Sequence, residues 1–203
     1  MLGKDYTIKL GYTPSEQFRN GRCIVYKVNP STDLATDLII KMSKDKWTHN
    51  HISREHEVLV QAKGLECLPE LKQFYDDQEQ RLQGLSVKKP IFAIKRNDHI
   101  YSLTALVKEF IPKIEHTSTY YDPYVKLDSY AAKVLEENVR ELHKMGFTCL
   151  DLTEPNIIID PKRMPHIIDT GYAETEKTLG KVAFAGHKKN DLSMLRGYLL
   201  RHS

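Results

Sequence analysis

The sequence has only three cysteines, no long apolar run and no apolar segment at its start, and each absence excludes a class of protein. Cys23, Cys67 and Cys149 are odd in number and far apart, so they provide neither a disulfide framework nor a zinc-binding spacing. No stretch approaches the roughly 18 apolar residues of a transmembrane helix. Residues 1–12 mix charged with apolar side chains and lack the apolar core of a secretory signal. We therefore expect buried free thiols in a reducing compartment, no membrane partner and no cleavable signal.

Charge and composition indicate an ordinary globular protein. Of the 203 residues, 40% are hydrophobic and 28% charged, which argues against disorder and allows one domain with a sizeable core, or two small lobes. The net charge is +3, and lysines and arginines are interspersed with acidic residues rather than gathered in a run. Because no basic stripe is present to follow a phosphate backbone, we expect no nucleic-acid partner.

The first half of the chain is dominated by strand patterns. Alternating or β-branched runs predict strands at residues 6–10, 23–28, 38–42, 91–94 and 100–110, with a polar turn at 96–98 joining the last two as a hairpin. One amphipathic helix interrupts them. Residues 52–63 place apolar side chains at helical spacing, and Gly64 ends the pattern.

The second half is dominated by helix patterns. A strongly amphipathic segment predicts a helix over residues 128–144, with Asp128 as its N-cap and Gly146 at its end. A second helix is predicted over residues 190–200, capped by Asn190. A β-rich half followed by a helix-rich half predicts an α+β fold with two lobes around a cleft. The border between the lobes is expected near residues 110–112.

Three polar residues follow the long helix at a spacing that indicates metal and proton chemistry. Asp151 lies in the loop after the helix, Asn156 follows five residues later, and Asp169 begins an Asp-Thr-Gly sequence after two short apolar runs. Such runs predict a hairpin that returns the second aspartate towards the first. Each residue alone is more often a turn former or a helix cap. Together they supply the hard oxygen ligands that phosphoryl transfer requires around a metal ion.

Lys41, in the first half of the chain, independently supports this phosphoryl-transfer chemistry. It ends a predicted apolar strand, where a charge is costly unless it has a partner. The predicted helix offers Glu55 in phase with the apolar residue Leu59, on the face turned towards the sheet, and Glu57 as a second choice. A solvated lysine at a strand end is the alternative.

The stretch from Leu142 to Gly171 resembles the catalytic core of the protein-kinase superfamily, in which a loop Asp is followed at plus five by Asn and later by Asp-Phe-Gly. The resemblance implies a single kinase-like domain over residues 1–203. It would be a minimal two-lobed protein-kinase-like fold, with an N-lobe over about 1–110 and a truncated C-lobe over about 111–203. Its cofactors would be ATP and Mg²⁺.

By position, the resemblance assigns a role to each residue. Asp151 would orient a substrate hydroxyl and accept its proton, while Asn156 and Asp169 would hold Mg²⁺ on the nucleotide phosphates. Lys41, paired with Glu55, would bind the α- and β-phosphates. Residues 106–112 resemble the hinge, where the backbone from Glu109 to Ile111 would bind adenine.

The chain also departs from the superfamily pattern. Residues 11–21 stand where kinases have a glycine-rich loop but lack G-x-G-x-x-G, which predicts a longer cover over the phosphates. Cys149 and Leu150 replace the usual His-Arg before the aspartate, so no basic residue receives an activation-loop phosphate and constitutive activity is expected. Thr170 replaces the phenylalanine of Asp-Phe-Gly. Asp191 resembles the helix aspartate that braces the catalytic loop, and only 32 residues follow Gly171.

This compact form most resembles the HopBF family of bacterial type III secreted effector kinases. That resemblance implies a monomeric Ser/Thr protein kinase, secreted into the host cell cytoplasm, which phosphorylates and inactivates the eukaryotic heat shock protein 90 chaperone. Two alternatives stay open. A small-molecule phosphotransferase of the aminoglycoside kinase type shares the Asp, Asn and later Asp. A pseudokinase binding module would explain the missing glycine loop.

Overall fold

The computed structural model describes residues 7–8, 10–18, 23–33, 36–43, 46–76, 93–96, 99–102, 104–112 and 128–200. Within these ranges the protein is a mixed α+β structure with a five-stranded antiparallel sheet and four α-helices. The strands are β1 Tyr12–Phe18, β2 Ile24–Pro30, β3 Leu38–Met42, β4 Leu71–Asp76, β5 Ala93–Arg96, β6 His99–Ser102, β7 Thr104–Glu109, β8 Phe147–Thr148, β9 Ile157–Ile159, β10 Pro165–Ile167 and β11 Glu174–Thr175. The helices are α1 Lys46–Gln61, α2 Ser129–Lys144, α3 Glu176–Leu179 and α4 Lys181–Leu200, with a 3₁₀ turn at Glu154–Asn156. In these ranges, no helix combines the length and apolarity needed to cross a bilayer.

The described residues fall into two compact units. The first comprises those of Met1–His56 and Leu71–Phe110, and the second those of Glu57–Glu70 and Ile111–Ser203. Helix α1 therefore supplies residues to both units.

The first unit is built on the sheet β1-β2-β3-β7-β4, in which every neighbouring pair is antiparallel. Alternation along β3 gives it two different faces. One face carries a buried apolar cluster, which comprises Tyr12, Tyr26, Val28, Leu38, Ile40, Met42, Ala105 and Val107. Lys41 lies between Ile40 and Met42 and therefore projects from the opposite face, where Leu106 of β7 is its register partner.

Helix α1 begins six residues earlier than the apolar pattern predicts, at Lys46, and ends at Gln61. Its buried positions include Ile52 and Val58, as the helical spacing predicts. The His56 ring stacks on Phe74 of β4, with 3.7 Å between centroids, which packs the helix against the sheet edge. Gly64 has a φ of 95°, a conformation that glycine adopts at little cost.

Two predictions for the N-terminal region are wrong. The strand predicted at residues 6–10 does not form in its described part, because Thr7 and Ile8 are helical and Leu10 lies in a turn. Most of the expected loop at residues 11–21 is instead strand β1. β1 accommodates Pro14 because it is an edge strand with a register shift between Pro14 and Glu16, the setting in which a sheet tolerates proline. Residues 19–22 lie outside the described ranges.

The strands predicted between residues 91 and 110 are confirmed in part. The strand predicted at 91–94 is described as β5, and the long strand predicted at 100–110 is divided into β6 and β7. β5 and β6 pair as an antiparallel hairpin, with Arg96 opposite His99. Residues 91–92 and the turn residues 97–98 lie outside the described ranges.

In the second unit, helix α2 has the predicted bounds. The Asp128 carboxylate accepts a hydrogen bond from the Ala131 N–H at 2.8 Å, and the chain leaves the helix through Gly146 at a φ of 91°. Its buried side includes Leu135, Val139 and Leu142. The predicted amphipathic helix and its cap are confirmed.

Helix α4 is longer than predicted. It begins at Lys181 rather than after Asn190, so Asn190 is an exposed residue of the helix interior and not its cap. The weak amphipathic pattern before Asn190 and the glycine at position 186 disfavoured a helix there, but an exposed Gly186 costs only about 1 kcal/mol relative to alanine. The chain enters this helix from Gly180, whose φ is 77°.

Candidate functional site

A buried ion cluster in the first unit joins Lys41 to helix α1. Lys41 is 3% exposed and Glu55 is 1% exposed. The Lys41 Nζ lies 2.7 Å from Glu55 Oε2, so the predicted pairing of these residues is confirmed. A buried ammonium and a buried carboxylate are each costly, and direct contact offsets part of that cost.

The same carboxylate has a further partner that sequence reasoning missed. Lys108 of β7 is 5% exposed, and its Nζ contacts Glu55 Oε1. The apolar residues around Lys108 predict a buried strand, and this pattern assigns no partner to the single lysine within it. Strand alternation offers the signal, because Lys108 is two residues from Leu106, the register partner of Lys41.

Three other predicted residues lie apart from this ion cluster, Glu109 in the first unit and Glu57 and Ile111 in the second. Glu57, the second choice of partner for Lys41, accepts a hydrogen bond from Gln61 at 3.5 Å. Glu109 is the last residue of β7, opposite Leu38 of β3, and its side chain is exposed. Ile111, which belongs to the second unit, is 7% exposed.

The loop carrying Asp151 is held by its apolar neighbours in the second unit. Leu150 and Leu152 are both fully buried, while Asp151 between them is partly exposed. Cys149 and Asp151 have φ values of 57° and 46°, in the left-handed region that residues other than glycine rarely adopt. The alternation of buried leucines with left-handed residues directs the aspartate away from the core.

Asn156 fixes the Asp151 carboxylate. The Asn156 Nδ2 donates to Asp151 Oδ2 at 2.8 Å and to the Asp151 backbone carbonyl at 3.0 Å. The 3₁₀ turn at Glu154–Asn156 brings the two residues together across their five-residue separation. The predicted proton acceptor and the first predicted metal ligand are therefore in direct contact.

The β9–β10 hairpin places Asn156 and Asp169 at the same end. Ile157 pairs with Ile167, and the Ile168 N–H donates to the Asn156 carbonyl at 2.8 Å. Asp169 follows immediately and accepts a hydrogen bond from the Gly171 N–H at 3.1 Å. The hairpin expected from the two apolar runs is confirmed.

The donor atoms at this end suit Mg²⁺. Because the Asn156 Nδ2 is engaged with Asp151, the amide presents its Oδ1 on the other side. The second donor is the Asp169 carboxylate, and both groups are hard oxygen ligands of the kind that Mg²⁺ prefers. The residues present therefore fit this ion.

Asp191 of helix α4 supports the loop, as expected. Its Oδ2 accepts from Thr148 Oγ1 at 2.8 Å and is 2.9 Å from His143 Nε2, and its Oδ1 accepts from the Leu150 N–H at 3.3 Å. The carboxylate is thereby linked to helix α2, strand β8 and the loop that carries Asp151. The role of His143 was missed, because a histidine in the last turn of an amphipathic helix resembles an ordinary half-buried residue.

Two side chains in the second unit, Cys149 and Asp160, have pKa values shifted from their ordinary ranges. Burial, together with the charges of Asp191 and Glu174, raises the pKa of Cys149 to about 11. At the far turn of the hairpin, burial alone would raise the pKa of Asp160. The backbone N–H groups of Met164 and Lys162 and the ring of His166 outweigh it, so the pKa is lowered. Both groups keep a single protonation state near neutral pH.

The predicted residues thus form two groups. Lys41 and Glu55 meet in the first unit, and Asp151, Asn156 and Asp169 are gathered by one loop and one hairpin in the second. No family model matches this sequence, and no curated protein is significantly similar to it.

Proposed function

We propose that this chain is an ATP-dependent Ser/Thr protein kinase. The observation that carries the proposal is the buried contact between Lys41 and Glu55, because an apolar strand gains nothing structural from an ammonium that an apolar side chain would not supply. The contact between Asp151 and Asn156 supports it independently.

In the proposed reaction, Asp151 orients the acceptor hydroxyl and takes its proton. The hydroxyl oxygen attacks the γ-phosphorus, the bond from that phosphorus to the β-phosphate oxygen breaks, and ADP leaves with the electron pair. The Asn156 amide holds the Asp151 carboxylate in a single orientation for this proton transfer.

Lys41 would bind the α- and β-phosphates, with Glu55 fixing its ammonium. Asn156 and Asp169 would hold Mg²⁺, which neutralises phosphate charge when bound. The backbone from Glu109 to Ile111 is the proposed adenine contact.

The narrower proposal concerns the acceptor. The resemblance to the HopBF effector kinases suggests the eukaryotic heat shock protein 90 chaperone as the substrate, with a secreted, monomeric enzyme acting in the host cytoplasm. Buried Thr170 in place of the usual phenylalanine agrees with an enzyme that lacks an aromatic switch at this position.

The test is phosphoryl transfer by the purified full chain, with Asp169→Ala as its inactive counterpart. Wild type should transfer phosphate from ATP to purified heat shock protein 90, whereas Asp169→Ala should lose at least about a thousandfold in turnover because the metal is no longer held. Glu137→Ala, at an exposed position of helix α2, is the control and should keep wild-type turnover.

The acceptor is identified separately. Phosphosites in a eukaryotic lysate are compared by mass spectrometry after incubation with wild type or Asp169→Ala, and an aminoglycoside acceptor is assayed in parallel. Phosphorylated aminoglycoside with unmodified protein would replace the proposal with a small-molecule phosphotransferase. An Asp169→Ala protein as active as wild type would refute the assignment of the site.

A further inference from the structure

Glu55 holds one buried lysine on each of its carboxylate oxygens. Lys41 contacts Oε2 at 2.7 Å, and Lys108 contacts Oε1. The side chains of Lys41, Lys108 and Glu55 are 4%, 6% and 1% exposed, so both contacts are shielded from solvent. In such surroundings charge–charge interactions are several times stronger than at a surface.

The sheet register brings the two lysines to the same face. Lys41 of β3 lies opposite Leu106 of β7, and Lys108 is two residues further along β7, opposite Ile39. Residues two apart in a strand project to the same side, while Val107 between them joins the apolar cluster on the other face. Lys108 is therefore directed to Glu55 by the backbone of the sheet.

We propose that Lys108 is a positioning residue for nucleotide binding, which holds and neutralises Glu55 so that the Lys41 ammonium keeps its attraction for phosphate. The inference rests on the proposed function and adds to it a residue of the same site. In a pair of Lys41 with Glu55 alone, the carboxylate would cancel much of the ammonium charge that a phosphate meets. With Lys108 on the other oxygen, Glu55 stays compensated when Lys41 is drawn to the phosphates.

A purely structural Lys108 would behave differently. It would contribute to the free energy of unfolding through its contact with Glu55, and its loss would leave nucleotide affinity unchanged or lower it for every ligand alike. A positioning role acts only on ligands that carry phosphate. Comparing a phosphorylated nucleotide with its nucleoside therefore separates the two.

The experiment measures binding of Mg-ADP and of adenosine to the full chain by calorimetry, together with KM for ATP and kcat. In Lys108→Met, which keeps the length of the side chain, the Kd for Mg-ADP should rise about tenfold or more, and that for adenosine by less than about twofold. KM for ATP should rise by a larger factor than kcat falls. Lys108→Arg, which keeps the positive charge, should bind Mg-ADP with a Kd within about threefold of the wild-type value.

A double-mutant cycle tests whether Lys108 acts through Glu55. In a Glu55→Gln background, Lys108→Met should change the Mg-ADP affinity by less than about twofold, because the carboxylate it neutralises is already gone. Equal losses in the two backgrounds would overturn the inference. So would equal losses for Mg-ADP and adenosine.

Two controls keep the outcome decisive. If Lys108→Met does not fold, as judged by its thermal transition, Lys108→Gln takes its place with the same expected pattern. A wild-type protein that binds no nucleotide would overturn the proposed function and this inference with it. Wild-type binding combined with unchanged Mg-ADP affinity in the Lys108 variant would overturn this inference alone.

Discussion

Asn156 binds Asp151 twice, once at the carboxylate, 2.8 Å away, and once at the backbone carbonyl, 3.0 Å away. A single amide therefore fixes both the side chain and the peptide of the proposed proton acceptor. The β9–β10 hairpin brings Asp169 to the same end as Asn156. The loop and the hairpin therefore hold these three residues in one region of the second unit without a ligand.

Replacing Asn156 by aspartate should be more damaging than replacing it by alanine. Asn156→Asp places two carboxylates about 3 Å apart, where like charges repel strongly. Asn156→Ala removes the donor and the proposed metal-binding oxygen without adding a charge. We expect turnover to fall at least about a hundredfold in both, with the free energy of unfolding lower in Asn156→Asp. Kinase assays and urea denaturation measure the two quantities. Equal stability of the two variants would contradict the repulsion.

Loss of Glu55 should destabilise the protein more than loss of Lys41. Glu55→Leu leaves two buried lysines without their shared carboxylate, and removing one member of a buried ionic contact costs about 3–5 kcal/mol. Lys41→Met leaves Glu55 with Lys108, so its cost should be smaller by about 1 kcal/mol or more. Urea denaturation of both variants at neutral pH tests this order, and the reverse order would contradict it. Glu57→Gln on the same helix is the matched control and should stay within about 0.5 kcal/mol of wild type.

Asp191→Ala should be among the most destabilising substitutions in the second unit. It leaves three hydrogen-bonding groups without their acceptor, those of His143, Thr148 and Leu150, and we expect a loss of about 3 kcal/mol or more. Asn190→Ala, one residue away but exposed in the helix interior, should change stability by less than about 0.5 kcal/mol. Denaturant unfolding with a constant m-value compares the two. A clearly destabilised Asn190→Ala would restore Asn190 as a helix cap.

The N-cap of helix α2 should give a pH-dependent contribution to stability. The hydrogen bond from the Ala131 N–H, followed by the charge of Arg163, lowers the pKa of Asp128 despite some opposing burial. A lowered pKa means that the stability is present above the ordinary value near 4 and is lost as the pH falls through the folded-state value.

Asp128→Asn tests this because asparagine keeps a capping oxygen without a charge. The difference in unfolding free energy between wild type and Asp128→Asn should shrink as the pH falls from about 5 to about 3. Asp128→Ala should cost about 1 kcal/mol at neutral pH. A difference independent of pH would contradict the ionic part of the cap.

Cys149 should react slowly with alkylating agents. Its pKa of about 11, raised from 9.0 by burial and then by nearby carboxylates, leaves roughly a hundredfold less thiolate at pH 7.5 than an ordinary thiol has. Iodoacetamide labelling of its peptide, followed by mass spectrometry, should be correspondingly slower than that of glutathione. Asp191→Asn should accelerate labelling, because it removes one of the charges that raise the pKa. A wild-type rate equal to that of glutathione would contradict the raised pKa.

Local signals in the sequence predicted much of the fold. Helix α2, its cap and its terminal glycine follow from side-chain periodicity and backbone preference within one segment. The contact of Lys41 with Glu55 was also predictable, because strand burial and helix phase each limit where a charge can point. The hairpin that carries Asn156 and Asp169 follows from two short apolar runs with a polar turn between them.

What escaped prediction depends on partners distant in the chain. Strand β4, at Leu71–Asp76, is an edge strand with little regular alternation, and its pairing with β7 defines it. Strand β1, which was expected to be part of a loop, is likewise defined by its pairing with β2. The contact of Lys108 with Glu55 spans 53 residues, and strand alternation indicates only the face to which Lys108 projects, not its partner.

The left-handed backbone at Asp151 has a practical consequence for inactive variants. Asparagine and aspartate tolerate this conformation better than other non-glycine residues, so Asp151→Asn can remove the negative charge while the chain keeps its path. An alanine there would add backbone strain to the chemical loss, and a β-branched residue would add more. Asp151→Asn therefore gives a protein with an undistorted loop that lacks the proposed proton acceptor. With it, partners that recognise the shape of the loop can be studied separately from those that require the carboxylate.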